Sequence, residues 1–248
     1  MLTKQRQELI LELLREKGSI TVAEARDVLQ TSESTVRRDI TALDKEGKLV
    51  KVFGGAVAAE QTMSVQEYTV SQKEELNQEE KRKIAKYAAS FITPGDFVYI
   101  DAGTTTAYML DYIDFPDVTF VTNAAAHARR LAGQGMKVIL IGGELKASTE
   151  AVIGSQAIQM LKDYHFTKGF FGVNGVTKKT GCTTPDINEA LVKRTAMEQC
   201  RTRYVLCDHS KFGNITPVTF AEFDRAVFLT DRNISGYEDC ENVMIIKE

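Results

Sequence analysis

Hydrophobic residues in the first sixty positions recur with the period of helices. From Gln5 to Lys17, Leu9, Ile10, Leu13 and Leu14 share one face while Glu8, Glu12, Arg15 and Glu16 occupy the other, and Gly18 supplies a stop. Thr21 is a candidate cap for a second helix that points Val22, Ala25, Val28 and Leu29 inward, and the polar run 30–33 reads as a turn. Ser32 or Ser34 caps a third helix, in which Val36, Ile40 and Leu43 form a stripe at i, i+4 and i+7. Gly47 ends it, and residues 48–57 alternate through Leu49, Val50 and Val52 towards Gly54-Gly55, as a hairpin does. Three helices and a two-stranded wing predict a winged helix-turn-helix over residues 1–57.

The pattern then changes. Residues 58–78 are polar, lack Pro and Gly and show weak periodicity, so they read as a linker. A helix is expected from Glu79 to Ile92, closed by Thr93-Pro94-Gly95. Beyond it, short apolar runs recur at Phe97 to Ile100, Val118 to Val121, Val138 to Ile141, Gly169 to Phe171, Tyr204 to Cys207, Ala226 to Leu229 and Val243 to Ile246. Helical segments lie between several of them, at Ala124 to Ala132, Gln156 to Lys162 and Asn188 to Gln199. Alternating strand and helix predicts an α/β domain over 79–248 with a largely parallel sheet.

Composition narrows the class. With 43% apolar and 26% charged residues, the 248-residue chain is an ordinary globular one. Its longest apolar runs fall far short of the eighteen or so residues of a membrane span, and the opening Met1-Leu2-Thr3-Lys4 is unlike a signal peptide, so no membrane partner and a cytoplasmic location are expected. Cys182, Cys200, Cys207 and Cys240 show no metal-ligand spacing and read as reduced, mostly buried thiols; neither a metal nor a cofactor is indicated.

Candidate chemistry begins on the third helix. A helix-turn-helix lays its second helix in the major groove. Ser34, Thr35, Arg37, Arg38 and Thr41 fall on or near its open face, and Lys48 and Lys51 bring the wing to the DNA backbone. Residues 1–60 carry ten Lys/Arg and ten Asp/Glu, so periodicity alone fits a solvated charged face equally well. Asp39, repelled by phosphate, is expected to orient an arginine or a backbone amide instead of touching DNA.

In the second domain, ligands should sit beyond the carboxyl ends of the strands. There the chain places Asp101-Ala102-Gly103-Thr104-Thr105-Thr106, Thr122-Asn123, Gly142-Gly143-Glu144, Gly172-Val173-Asn174-Gly175 and Asp208-His209-Ser210-Lys211. Gly103, Thr104, Thr105 and Thr106 before a helix offer N–H and O–H donors to a phosphate, although a turn that merely caps the helix has the same composition. Asp101, Asn123 and Asn174 suit sugar hydroxyls, Lys211 and the threonines suit phosphate, and Gly143, Glu144 and Gly175 in the converging loops are further ligand-binding candidates. Glu189 and Lys193, four apart on one helix, reach the same crevice or form a surface ion pair. His127, His165 and His209 read as structural.

Two stretches carry a family resemblance. Ser32-x-x-Thr35-Val36-Arg37-Arg38-Asp39-Ile40-x-x-Leu43 with Gly47-x-Leu49-Val50-x-Val52-x-Gly54-Gly55-Ala56 resembles the N-terminal signature of the DeoR family of sugar-metabolism regulators, with Phe53 where a histidine commonly stands. Asp101-x-Gly103-Thr104-Thr105, Thr122-Asn123, Gly142-Gly143, Phe171-Gly172-x-Asn174-Gly175, Glu189-x-x-x-Lys193 and Asp208-x-Ser210-Lys211 resemble the sensor domain of that family, similar in fold to ribose-5-phosphate isomerase.

The resemblance implies operator DNA and a phosphorylated sugar effector as partners. It also matches Lys81 by position to a phosphate-holding lysine of the isomerase. The likeness is greatest to regulators of fructose utilisation in Gram-positive bacteria, which implies fructose 1-phosphate. A sugar-phosphate isomerase is the alternative, with Glu189 as base. The isomerase's Asp-Gly-Ala-Asp stretch is, however, replaced here by Gly172-Val173-Asn174-Gly175, which has no carboxylate. A homodimer or homotetramer is expected, because paired heads match repeated half-sites.

Overall fold

Hydroxyl caps decide where the early helices start. In the computed structural model, which describes residues 2–17, 19–46, 48–58 and 69–246, Thr21 accepts the Glu24 N–H at 3.1 Å while Glu24 returns a bond to the Thr21 N–H at 2.8 Å. Ser32 accepts the Thr35 N–H. These open α2 (Val22–Leu29) and α3 (Glu33–Lys45), which follow α1 (Thr3–Lys17). Gln30, with φ of 49°, ends α2 in the left-handed region. The stops expected at Gly18 and Gly47 lie outside the described residues.

Ile10, Leu14, Ala25, Leu29, Val36, Ile40 and Leu43 close into one core. Val28, expected inward, is exposed, because α2 is short and its buried face is filled by Val22, Ala25 and Leu29. The wing strands β2 (Leu49–Val52) and β3 (Gly55–Ala58) are joined by a third, β1 (Ser19–Thr21), in the antiparallel order β1-β3-β2. With a single apolar residue, Ile20, β1 leaves no periodic trace in the sequence.

The two compact units of the chain are taken separately. In the stretch expected to be a linker, Ala58 ends β3 and 59–68 lie outside the described residues. From Thr69 the described chain resumes: α4 (Val70–Glu74) has a Thr69–Gln72 capping box, and Asn77 precedes α5 (Gln78–Ala89) with its side chain on Asp208 Oδ1 at 2.9 Å. Residues 69–78 are therefore part of the second unit. Their polarity reflects bonds made to other polar groups, which periodicity cannot reveal.

The second unit is built on a seven-stranded sheet. Its strands are β4 (Phe97–Ile100), β5 (Thr119–Thr122), β6 (Lys137–Leu140), β9 (Phe166–Gly172), β12 (Cys200–Leu206), β14 (Val227–Thr230) and β15 (Val243–Ile245), in the order β15-β14-β12-β9-β4-β5-β6. Every neighbouring pair is parallel. These are the seven apolar runs of the sequence. On one face α5 and α6 (Thr104–Met109) pack together, enclosing Ile84, Ala88, Met109, Val98, Ile100 and Phe120. On the other, Tyr99 meets Phe166 and Phe171 with ring centroids 5.4 Å apart, and α9 (Ile187–Glu198) packs on β9, β12 and α8 (Ser155–Lys162).

Two smaller pieces have no counterpart in the hydrophobic pattern: the hairpin of β7 (Glu144–Lys146) and β8 (Ala151–Ile153), and an antiparallel sheet of β10 (Gly175–Thr177), β11 (Gly181–Thr184) and β13 (Val218–Ala221). Their strands are only three or four residues long, too short to set up a repeat, and β10 and β11 are rich in Gly and Thr. From β4 the chain proceeds to β5 and β6 on one side, whereas β9, β12, β14 and β15 extend the sheet on the other. Connections thus diverge between β4 and β9, which opens a crevice at their carboxyl ends.

Candidate functional site

On α3, the buried stripe leaves Arg37, Arg38, Thr41 and Lys45 around one shallow depression. Arg38 is exposed and, among the described residues, has no hydrogen bond or ion pair. Arg37 shares a 3.5 Å ion pair with Glu33 one turn earlier. Ser34 meets Ser32 Oγ at 3.0 Å, and Thr35 meets it at 2.9 Å, so both hydroxyls also tie down the helix start. Thr41 donates to the Arg37 carbonyl and receives Lys51 Nζ at 3.0 Å, which brings wing and helix onto a common surface. Lys48 pairs with Glu46 at 2.7 Å. Asp39 is buried and takes the Arg6 guanidinium at 2.8 and 3.3 Å, so it joins α1 to α3 and stays off the open face. Phe53 stands at the wing tip with its ring fully exposed.

At the β4/β9 switch point, Asp101 is completely buried. Its Oδ2 meets Lys193 Nζ from α9 and accepts the Gly172 N–H at 3.0 Å; Lys193 also donates to the Gly172 carbonyl at 3.2 Å. Burial raises the Asp101 carboxyl above its ordinary value, and Lys193 opposes that shift. Asp101 Oδ1 has no hydrogen-bond partner. A buried carboxylate oxygen left unbonded is costly, and a ligand hydroxyl is the kind of donor that satisfies it. Glu189, one turn before Lys193, accepts Lys146 Nζ at 3.2 Å and the Thr149 hydroxyl at 2.5 Å. Lys146 also reaches Asp186, the N-cap of α9, at 3.0 Å. Glu189 thus belongs to a part-buried network, not to a free surface pair with Lys193.

Several expected contacts turn out to build the crevice walls. Asn123 spends its amide on the Ala102 N–H at 2.8 Å and the Val152 carbonyl at 3.4 Å. Thr106 is buried and donates to the carbonyls of Asp101 and Gly103. Both were expected to meet ligand, but their polar atoms hold the Asp101–Thr106 loop. Gly143 is a close-approach position: its φ is +151° and a Cβ there would lie 2.5 Å from the Ile153 carbonyl oxygen. At Gly175 a Cβ would come within 2.3 Å of the Asn214 carbonyl oxygen. Glu144 is exposed at the start of β7, and Asn174 accepts the Thr184 hydroxyl at 3.2 Å. Gly103, Thr104 and Thr105 form the start of α6, where no side chain caps the first N–H groups.

A second cluster lies at the carboxyl end of β12. Lys81 on α5 is only 2% exposed and donates to the Lys73 carbonyl. Burial, and after it the neighbouring Lys211, push its amine down to about 8, while Asp208 opposes. Asp208 holds Asn77 and Ser210 through Oδ1 and leaves Oδ2 without a partner.

One other residue escaped the sequence reading. Lys146 lies on a strand with no hydrophobic signature. His127, on α7 (Ala125–Gly133), is buried against the Gly103 backbone, and burial lowers its imidazole to about 4. His209 bonds Asp231 at 2.9 Å. Cys182, Cys200 and Cys207 are buried free thiols, and Cys240 is partly exposed.

Residues 6–62 match the DeoR-like helix-turn-helix domain, and residues 76–232 match the DeoR C terminal sensor domain. The chain is 36% identical to an uncharacterised HTH-type transcriptional regulator of Bacillus subtilis, FruR, over all of this chain and 98% of that protein. It is 33% identical to the lactose phosphotransferase system repressor of Staphylococcus aureus, over 98% of this chain and 96% of that one. Among solved structures, ribose 5-phosphate isomerase A of Methanocaldococcus jannaschii covers 55% of each chain at 15% identity with a TM-score of 0.40. No helix among the described residues is long and apolar enough to cross a membrane.

Proposed function

Because this chain belongs to the DeoR family of transcriptional regulators, we propose that it represses a sugar-utilisation operon and leaves its operator when a phosphorylated sugar fills the β4/β9 crevice. In this reading Arg37, Arg38, Ser34, Thr35 and Thr41 meet the major groove, and Lys48 and Lys51 meet the backbone. In the same reading Lys81 and Lys211, at the end of the neighbouring strand β12, and the start of α6 at Thr104 and Thr105 take the phosphate, and Asp101, held by Lys193, takes sugar hydroxyls. The observation that carries the sensor half is the buried Asp101 with one oxygen unbonded, beside a lysine and between diverging loops. We assign fructose 1-phosphate as the effector, on the likeness of the chain to regulators of fructose utilisation. Its catalogue of regulator relatives, and a Gly172–Gly175 segment without a carboxylate, accord with binding without turnover.

The test joins two measurements on the full chain. Thermal unfolding with a panel of phosphorylated sugars should rank fructose 1-phosphate first. The same compound should weaken binding to a duplex selected by the protein from a random pool. Thr105→Glu should bind that duplex as before and lose the sugar response, since the new carboxylate would repel phosphate. Release that persists in Thr105→Glu would displace the site. A response to another sugar phosphate alone would displace the effector.

A further inference from the structure

A cavity of about 440 Å³ lies between the C-terminal half of α9, the start of β12 and β13. It is separate from the crevice: Arg203, in its wall, precedes Asp208 at the crevice by five residues along a strand, on the order of 16 Å at the rise of a β-strand. Arg194 and Arg203 line it, and among the described residues neither has a carboxylate within ion-pair distance; the third arginine, Arg225, is paired with Glu222 at 3.5 Å.

Both unpaired guanidinium groups are fixed by backbone carbonyls. Arg194 Nη2 donates to Thr219 at 2.6 Å, Arg203 Nε to Met197 at 2.7 Å and Arg203 Nη1 to Arg225 at 3.5 Å. A guanidinium has five N–H donors, so each keeps several unspent while its orientation is already set. That preorganisation lowers the ordering cost of binding, and the planar fork matches phosphate and carboxylate oxygens.

The floor of the cavity contains Phe220, whose ring also carries Lys193 Nζ at 5.7 Å from its centroid. Lys193 is the crevice lysine that holds Asp101, and Arg194 follows it on α9. One buried ring therefore touches both sites.

We propose that this cavity is a second anion site, in which Arg194 and Arg203 together bind the phosphate or carboxylate of a small metabolite, coupled to the crevice through Phe220 and Lys193. Glu198 on the same wall is placed to accept from hydroxyl or ammonium groups of the ligand body. The coupling clause rests on the crevice reading above; the site itself does not.

Inorganic phosphate titrated calorimetrically into the full chain is the probe. Two classes of binding are expected. Arg194→Gln/Arg203→Gln should weaken one class at least tenfold and spare the other, and Lys81→Met/Lys211→Met should do the converse. Arg194→Gln alone, at an exposed position with a single backbone bond, serves where the double variant unfolds, and should weaken the same class by about threefold or more. Phosphate binding unchanged in the folded arginine variants would overturn the second site. Binding that ignores the lysine variants would count against the crevice and leave the arginine result standing.

Discussion

Lys81 shows how one side chain can set the conditions for binding. Its amine is held near 8 by burial and by Lys211, and an incoming anion favours the charged form of both lysines. If phosphate binds only to protonated Lys81, affinity should be flat below pH 7 and fall as pH rises through 8, by about tenfold one unit above that value. Calorimetry from pH 6.5 to 9.5 checks this, and Lys81→Arg should flatten the profile because a guanidinium keeps its proton. Folding responds with the opposite sign. The unfolded lysine keeps its proton to about 10.5, so between 8 and 10.5 the unfolded chain binds more protons and unliganded stability rises with pH. The sequence offered Lys81 only by family position. Its depressed value comes from burial and from Lys211, which reaches it only in space.

At the scale of elements, α3 sends two charged neighbours to different faces through the rotation of about 100° between successive residues. Arg38 is exposed and unpaired among the described residues, whereas Asp39 is buried on Arg6. Arg38→Ala should leave urea unfolding unchanged, weaken operator binding by about 1–3 kcal/mol if the contact is to a base, and reduce the salt slope by about one if it is to phosphate. Asp39→Ala should do the reverse at first order, lowering the urea midpoint of the head while sparing the open face, because the ion pair that joins α1 to α3 would be lost. Equal operator titrations for wild type and Arg38→Ala would remove α3 from the interface. The sequence anticipated that Asp39 would orient an arginine, on phosphate repulsion alone. It did not identify Arg6, which lies thirty-three positions away.

For the whole molecule, the proposed switch is a thermodynamic coupling between operator and effector. Paired heads reading paired half-sites require an oligomer, so sedimentation should report a dimer or tetramer of the full chain at concentrations where operator binding is tight. If fructose 1-phosphate weakens operator binding by a factor in the range of about 5–150, the operator must weaken effector binding by the same factor. Calorimetric titration of effector with and without saturating duplex measures both sides. An effector affinity that saturating duplex leaves unchanged would overturn the coupling.

Periodicity and capping in the sequence alone determined the helices of the head, the seven parallel strands and the polar loops at their carboxyl ends, because burial of one helix face or of whole strands imposes a repeat that local composition records. Asp101 and the Gly-Thr-Thr loop were legible for that reason, as residues following a strand, and Lys193 by its spacing from Glu189 on one helix. Tertiary structure decided what those polar groups do. Asn123 and Thr106 spend their hydrogen bonds on the loop, Gly143 and Gly175 allow close backbone approach, and Glu189 belongs to Lys146 and Thr149. The antiparallel hairpin and small sheet, and the arginine cavity beneath Phe220, were equally silent in the sequence. Hydrogen bonds and ion pairs between positions distant in the chain leave no period behind them, and only the packed fold reveals which partner each group has found.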